Sequence, residues 1–197
     1  MDPDQAGFHG HFPFAPCCPA LIMGPVIEAA SCFRLSTGET LLEASRERIV
    51  ALVFLRHFGC TFTRAILRKL QDLQADCAEH GARLVLVHML QSGDEQAYLR
   101  SGDVARIADP HCELYKAFGL GKGGFRELLG PIVWVRGFLS VFSGCGIGHL
   151  AGDGRQMPGT FLFRDGEIIA ARPARNASEL PDIEGIFGEL PVAASKV

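Results

Sequence analysis

The sequence predicts an α/β fold with a central mixed sheet flanked by helices on both faces, and three stretches carry that expectation. Residues 49–55, IVALVFL, form a continuous apolar run rich in branched side chains, the mark of a strand buried on both faces. Residues 82–89, ARLVLVHM, repeat the pattern, and between the two runs Ile66, Leu70, Leu73 and Cys77 recur at spacings of three and four, one face of a helix. A strand, a helix and a second strand in that order make a right-handed parallel crossover. Asp165-Gly166, between runs at 160–164 and 167–172, is a two-residue hairpin signal that adds antiparallel strands.

The 197 residues, 48% hydrophobic and 21% charged, suit one globular domain, expected at 31–190, with an irregular arm at 1–30 and a tail at 191–197. A net charge of −3 without a basic block argues against nucleic acid and against an acidic membrane surface as partners. Seven cysteines, an odd number without regular spacing, do not form a secreted disulfide framework, so a reducing cytoplasm is the expected location. The arm opens with two aspartates and is interrupted by Pro13, Pro16, Pro19 and Pro25, which excludes a secretory signal and opposes a helix. His9, His11, Cys17 and Cys18 fit no common zinc spacing, so no metal is expected there; the Cys17-Cys18 pair has an alternative use as a mobile partner for sulfur chemistry elsewhere.

Residues 31–41 alternate around Thr37-Gly38 and read as an edge hairpin. The strand at 49–55 is followed by Arg56-His57-Phe58-Gly59-Cys60 and then the helical pattern, which places Cys60 where a buried strand hands over to a helix N-terminus. The unpaired N–H groups of a first helical turn favour a thiolate over a thiol, and Arg56 and Arg64 add positive charge on either side. The bland alternative is a buried structural cysteine, against which stand the preceding glycine and the polar Thr61 and Thr63. His57 is a candidate proton carrier three residues before Cys60, or a residue that only orients the turn; His88 reads as a core histidine.

Gly81 stops the helix, 93–101 reads as a short polar helix, 104–108 as a strand, and Pro110 as the start of a helix through Leu114, Tyr115 and Phe118. GLGKGG at 119–124 satisfies a dinucleotide-loop spacing but follows a helix instead of a strand, so it is read as a helix-ending turn and no cofactor is expected. Residues 125–150 are the most apolar long stretch; Arg136, Pro131 and the glycines oppose a membrane span, and Trp134, Phe138 and Phe142 suggest a core or homodimer face. Cys145 in the flexible SGCGIG is the first candidate for a resolving thiol. After the hairpin, residues 179–190 read as a final helix with Pro181 in its first turn.

FLRHFGCTFTRA at 54–65, ADPHCELYKAFGL at 108–120 and GDGRQMPGTFLFRDGEIIAA at 152–171 resemble, in order, segments of thioredoxin-fold proteins, and most closely the peroxiredoxin-like branch of the alkyl hydroperoxide reductase C/thiol-specific antioxidant (AhpC/TSA) family. That branch carries Cys-x-x-Cys at the first segment, so Cys60 matches its first cysteine and Thr63 stands in place of the second. Typical peroxiredoxins have the reverse order, Thr-x-x-Cys. The resemblance implies a thioredoxin-like fold in which Met157 and Pro158, with a cis bond between them, lie against the cysteine turn and help to bind substrate. It also implies a thiol-dependent oxidoreductase in which Cys60 attacks a disulfide or a peroxide, with a small thiol or a thioredoxin- or glutaredoxin-type protein as reductant. The second reading is a binding or structural module that has lost its chemistry, since Thr63 cannot form a disulfide. If Thr63 does take part, its hydroxyl donates to the sulfur; otherwise it caps its own helix.

Overall fold

The computed structural model describes residues 24–99, 104–123 and 153–190. Five strands form one sheet in the order β3-β2-β1-β4-β5. The strands are β1 (Val50–Phe54), β2 (Arg83–His88), β3 (Ala105–Ala108), β4 (Gly159–Arg164) and β5 (Glu167–Pro173). β1, β2 and β3 run parallel, while β4 is antiparallel to both β1 and β5. Every residue of β1 is buried because helices cover both faces and alternate side chains serve two cores. Val50, Leu52 and Phe54 face α1 (Pro25–Cys32), α2 (Leu41–Glu47) and α5 (Glu113–Ala117), through Ala30, Leu41, Leu114 and Tyr115. Ala51 and Val53 face α3 (Thr61–Arg68), α4 (Leu70–Glu79) and α6 (Ile183–Gly188), through Ile66, Leu70, Leu73, Cys77 and Ile186.

Several boundaries differ from those expected. Pro25 begins α1 instead of breaking it, since a first-turn residue needs no N–H donor, and Ala30 is fully buried in the first core. The stretch at 31–41 keeps only an isolated bridge, Arg34 with Thr40, because Thr40 and Glu43 form a reciprocal capping box that opens α2. The helix after Cys60 is two helices that meet at Lys69, with the anticipated apolar face buried across the break. Gly81, at φ 65°, ends α4 as expected.

Of the polar helix expected at 93–101, the described residues, 93–99, form a 3-10 turn at Asp94–Ala97. α5 starts at Glu113 instead of Pro110, because the Asp109 carboxylate accepts the N–H groups of Glu113, Leu114 and Tyr115. Gly119 ends α5 at φ 76°, with Leu120 N–H on the Tyr115 carbonyl and Gly119 N–H on that of Lys116, so this turn is indeed a helix stop. The Asp165-Gly166 hairpin is present, both residues at positive φ. The last helix begins only at Ile183, after Asp182, whose side chain accepts Gly185 N–H.

Among the described residues no helix is long and apolar enough to cross a membrane, and no group of His, Cys, Asp and Glu is arranged to hold a metal. Residues 1–23, with His9, His11, Cys17 and Cys18, and the 125–150 stretch, with Trp134, Phe138, Phe142 and Cys145, lie outside the described residues.

Candidate active site

β1 delivers the chain to the edge of the sheet where the parallel strands end. There the Tyr115 hydroxyl donates to the carbonyls of Leu55 and Val87, at 2.6 and 3.0 Å, and ties the ends of β1 and β2 together. The next residues close a turn in which Cys60 N–H donates to the His57 carbonyl at 2.9 Å. Cys60 is then the N-cap of α3, extended at φ −74° and ψ 129°, and contributes no side-chain capping bond. Its sulfur is thus held at the positive end of a helix whose first N–H groups lack side-chain acceptors.

The guanidinium of Arg56 donates to Cys60 Sγ from Nη1 at 3.3 Å and to the Gly154 carbonyl from Nη2 at 2.6 Å. Arg56 is 9% exposed and Cys60 6%. A positive donor thus stands against a largely buried sulfur, a kind of contact that an ionised sulfur accepts far better than a neutral thiol.

The polar atoms around this sulfur are unusually short of partners. Among the described residues, the buried side-chain nitrogens and oxygens without a hydrogen bond are Arg56 Nε, His57 Nδ1, Thr63 Oγ1 and both ring nitrogens of His88. The first three belong to the turn and the first turn of α3. The imidazole of His88 packs edge-on against Phe58 of the same turn, ring centres 5.9 Å apart. Buried polar groups ordinarily find partners, so Arg56 Nε and Thr63 Oγ1 are left with unused hydrogen-bonding capacity in this turn.

The residues singled out from sequence fare differently. Cys60 stands at the strand-to-helix junction, as expected. Arg64 is exposed, and it is Arg56 that reaches the sulfur. Thr63, buried at 1% exposure, makes neither bond foreseen for it: its hydroxyl does not donate to Sγ, which takes its bond from Arg56, and it caps no backbone group. Burial, and then the adjacent Arg56 charge, push the His57 imidazole down to about 4, so it is neutral at pH 7; it has no bond to Sγ, and its part in the turn is played by its backbone carbonyl. His88 is fully buried in the core, as read, and burial likewise pushes it down to about 4.

The bond before Pro158 is trans, a correction to the cis bond that the resemblance implied. Met157 N–H donates to the Gly121 carbonyl and the Pro158 carbonyl accepts from Ala174 N–H, an extended course into β4 that the ordinary trans bond satisfies. Met157 is buried, and Pro158 lines a cavity of about 100 Å³ with Ile66, Thr160, Arg172 and Leu180. From the C-terminal half it is Gly154, which sequence reasoning did not single out, that reaches the sulfur's partner. A backbone carbonyl leaves no sequence signal.

A parallel β1-β2-β3 unit extended by an antiparallel β4-β5 pair, with a cysteine at the N-terminus of the helix after the central strand, defines a thioredoxin-like fold of the peroxiredoxin kind. Solved structures agree. Peroxiredoxin 6 of Arenicola marina, as a cysteine-to-serine variant, superposes with a TM-score of 0.55 at 14% identity, covering 85% of this chain and 71% of that one. Peroxiredoxin Q of Xanthomonas campestris superposes at 0.50 with 18% identity, covering 83% and 90%. No curated protein matches the sequence. The profile of the AhpC/TSA antioxidant enzymes matches residues 69–176, more than half of the chain, and the protein belongs to that family. The matched segment begins after Cys60, so the assignment of the cysteine rests on the geometry above. Membership of an antioxidant enzyme family makes the protein a thiol-dependent oxidoreductase of the peroxidase type, with a peroxide as substrate and a thiol as reductant, and disfavours the reading as a module without chemistry.

Proposed function

We propose that Cys60 is the peroxide-reacting cysteine and that the reaction runs with an external thiol as resolving partner. The contact of Arg56 with Cys60 Sγ at a helix N-terminus carries this reading. The thiolate attacks the terminal oxygen of a hydroperoxide; the S–O bond forms, the O–O bond breaks, and the departing alkoxide or hydroxide takes a proton to leave as alcohol or water. Arg56 Nε and the Thr63 hydroxyl, unpartnered in the resting site, are the donors available to the two peroxide oxygens. A burial of 94% for Cys60 favours a small hydroperoxide over a protein disulfide, which must approach in line with the sulfur.

The sulfenic acid then condenses with an outside thiol, releasing water, and a second thiol exchanges with the mixed disulfide to restore Cys60. Resolution from outside is favoured by the state of the described cysteines. Cys77 is fully buried and pushed up to about 12 by burial, Cys112 is also buried and raised, and exposed Cys32 lies on α1 on the opposite side of the sheet from α3. Cys145 remains the internal candidate.

Reduced protein is to be treated briefly with hydrogen peroxide in the presence of dimedone and mapped by mass spectrometry. A dimedone adduct on the Cys60 peptide, with peroxide consumption lost in Cys60→Ser, is the expected result. Consumption that persists in Cys60→Ser, or an adduct confined to another cysteine, overturns the assignment.

A further inference from the structure

We propose that Gln156, far from Cys60 in sequence, is a positioning residue for the Arg56 guanidinium and through it for the reactivity of Cys60. The inference rests on Cys60 being the reactive thiol. Arg56 has a long side chain with several rotamers, and it is held against the sulfur by one described anchor, the Gly154 carbonyl. The position of that carbonyl is set by two short segments, 119–123 and 153–157, joined by an antiparallel bridge between Lys122 and Gln156 and by Gly123 N–H on the Arg155 carbonyl at 2.7 Å.

Gln156 is 2% exposed, and its amide nitrogen donates to the carbonyls of Leu120 at 3.1 Å and Gly121 at 3.2 Å, with Met157 at 3.4 Å. One buried amide thus clips the two segments together two residues from Gly154. If the clip opens, the Gly154 carbonyl moves, a buried cation loses its anchor, and the guanidinium turns toward water and away from Sγ. Lys122 also joins the two segments through an ion pair with Asp153 at 2.7 Å, but both side chains are substantially exposed, so this tie is the weaker one.

The test is alkylation of Cys60 by iodoacetamide, followed on the Cys60 peptide at pH 6 and pH 9 in four proteins: the natural chain, Gln156→Leu, Arg56→Met and the double variant. Gln156→Leu is expected to slow alkylation at pH 6 by about tenfold, the size of a lost charge-assisted hydrogen bond, and less at pH 9, which lies above the ordinary thiol value of about 8.5. In the Arg56→Met background the same substitution is expected to change nothing. Gln156→Glu, which keeps the size but cannot donate to two carbonyls at neutral pH, should repeat the pH 6 effect if Gln156→Leu folds poorly. Equal slowing with and without Arg56, or no slowing by the folded variants, overturns the proposal. Because alkylation needs no peroxide, a Cys60 that alkylates readily yet forms no sulfenic acid overturns the peroxidase assignment alone and leaves this test intact.

Discussion

Thr63 is the residue whose chemistry the geometry changes most. A hydroxyl that is buried, bonded to nothing and one helical turn beyond Cys60 makes no contact that supports that sulfur. It is free to donate to a peroxide oxygen when one arrives. Thr63→Val, nearly the same in volume, is therefore expected to leave iodoacetamide alkylation of Cys60 within about twofold, and to leave stability equal or slightly higher, because an unpartnered polar atom is removed. The same variant should react with hydrogen peroxide about tenfold more slowly, the loss of one donor aimed at developing charge. Parallel slowing of alkylation and peroxide reaction, measured by competition kinetics, would show instead that the hydroxyl acts on the thiolate. Thr63→Cys is expected to pair with Cys60 when hydrogen peroxide takes two electrons from the thiols, seen as the loss of about two hydrogen atoms' mass from the intact chain.

At the scale of elements, the site depends on two strand ends staying level. Tyr115 donates its one proton to two carbonyls, Leu55 at the end of β1 and Val87 in β2, from the fully buried side of α5. Its ring also meets Phe54 edge-on with centres 4.9 Å apart, so its position is fixed by packing as well as by polarity. Tyr115→Phe keeps the ring and deletes the donor. The expected loss is about 1 to 3 kcal/mol in urea unfolding, since the Leu55 carbonyl is left buried beside an apolar edge, while that of Val87 keeps the Leu55 N–H. If the loss falls below about 0.5 kcal/mol, the strand ends are held by the ladder alone and the hydroxyl is incidental to the turn.

For the whole molecule, the two histidines near the turn contribute to the loss of stability in acid. His88 and His57 both sit near 4 in the folded chain and near 6.5 when unfolded, because burial disfavours their charged forms. Between those values the unfolded chain binds protons that the folded chain does not. Stability contributed by keeping them neutral is whole above about pH 6.5 and falls as the pH drops toward 4. For the fully buried His88 the ceiling is about 3 kcal/mol; half-buried His57 adds in the same direction with less weight. His88→Leu should flatten the fall of Tm between pH 6.5 and 4.5, and an unchanged slope would mean that His88 charges in place. The buried Glu95 and Arg106 pair at 3.0 Å, next to the same region of the sheet, is a feature to leave intact in such variants.

Much of this was legible in the chain itself because it follows from local rules. The run at 49–55 is apolar throughout since both faces of β1 are covered, the spacing of Ile66, Leu70, Leu73 and Cys77 is the period of one helix face, and Asp165-Gly166 is a turn because both residues tolerate positive φ. The capping box of Thr40 and Glu43 was equally local and would have marked α2. The strand-helix junction that exposes Cys60 to a helix N-terminus belongs to the same class. The tertiary structure decided which arginine meets the sulfur, that the Thr63 hydroxyl is idle at rest, and that a carbonyl 98 positions from Arg56 anchors it. Those facts depend on backbone groups and side-chain directions brought together across the sheet, and hydrophobic period and turn chemistry carry no information about a contact made by a glycine's carbonyl oxygen.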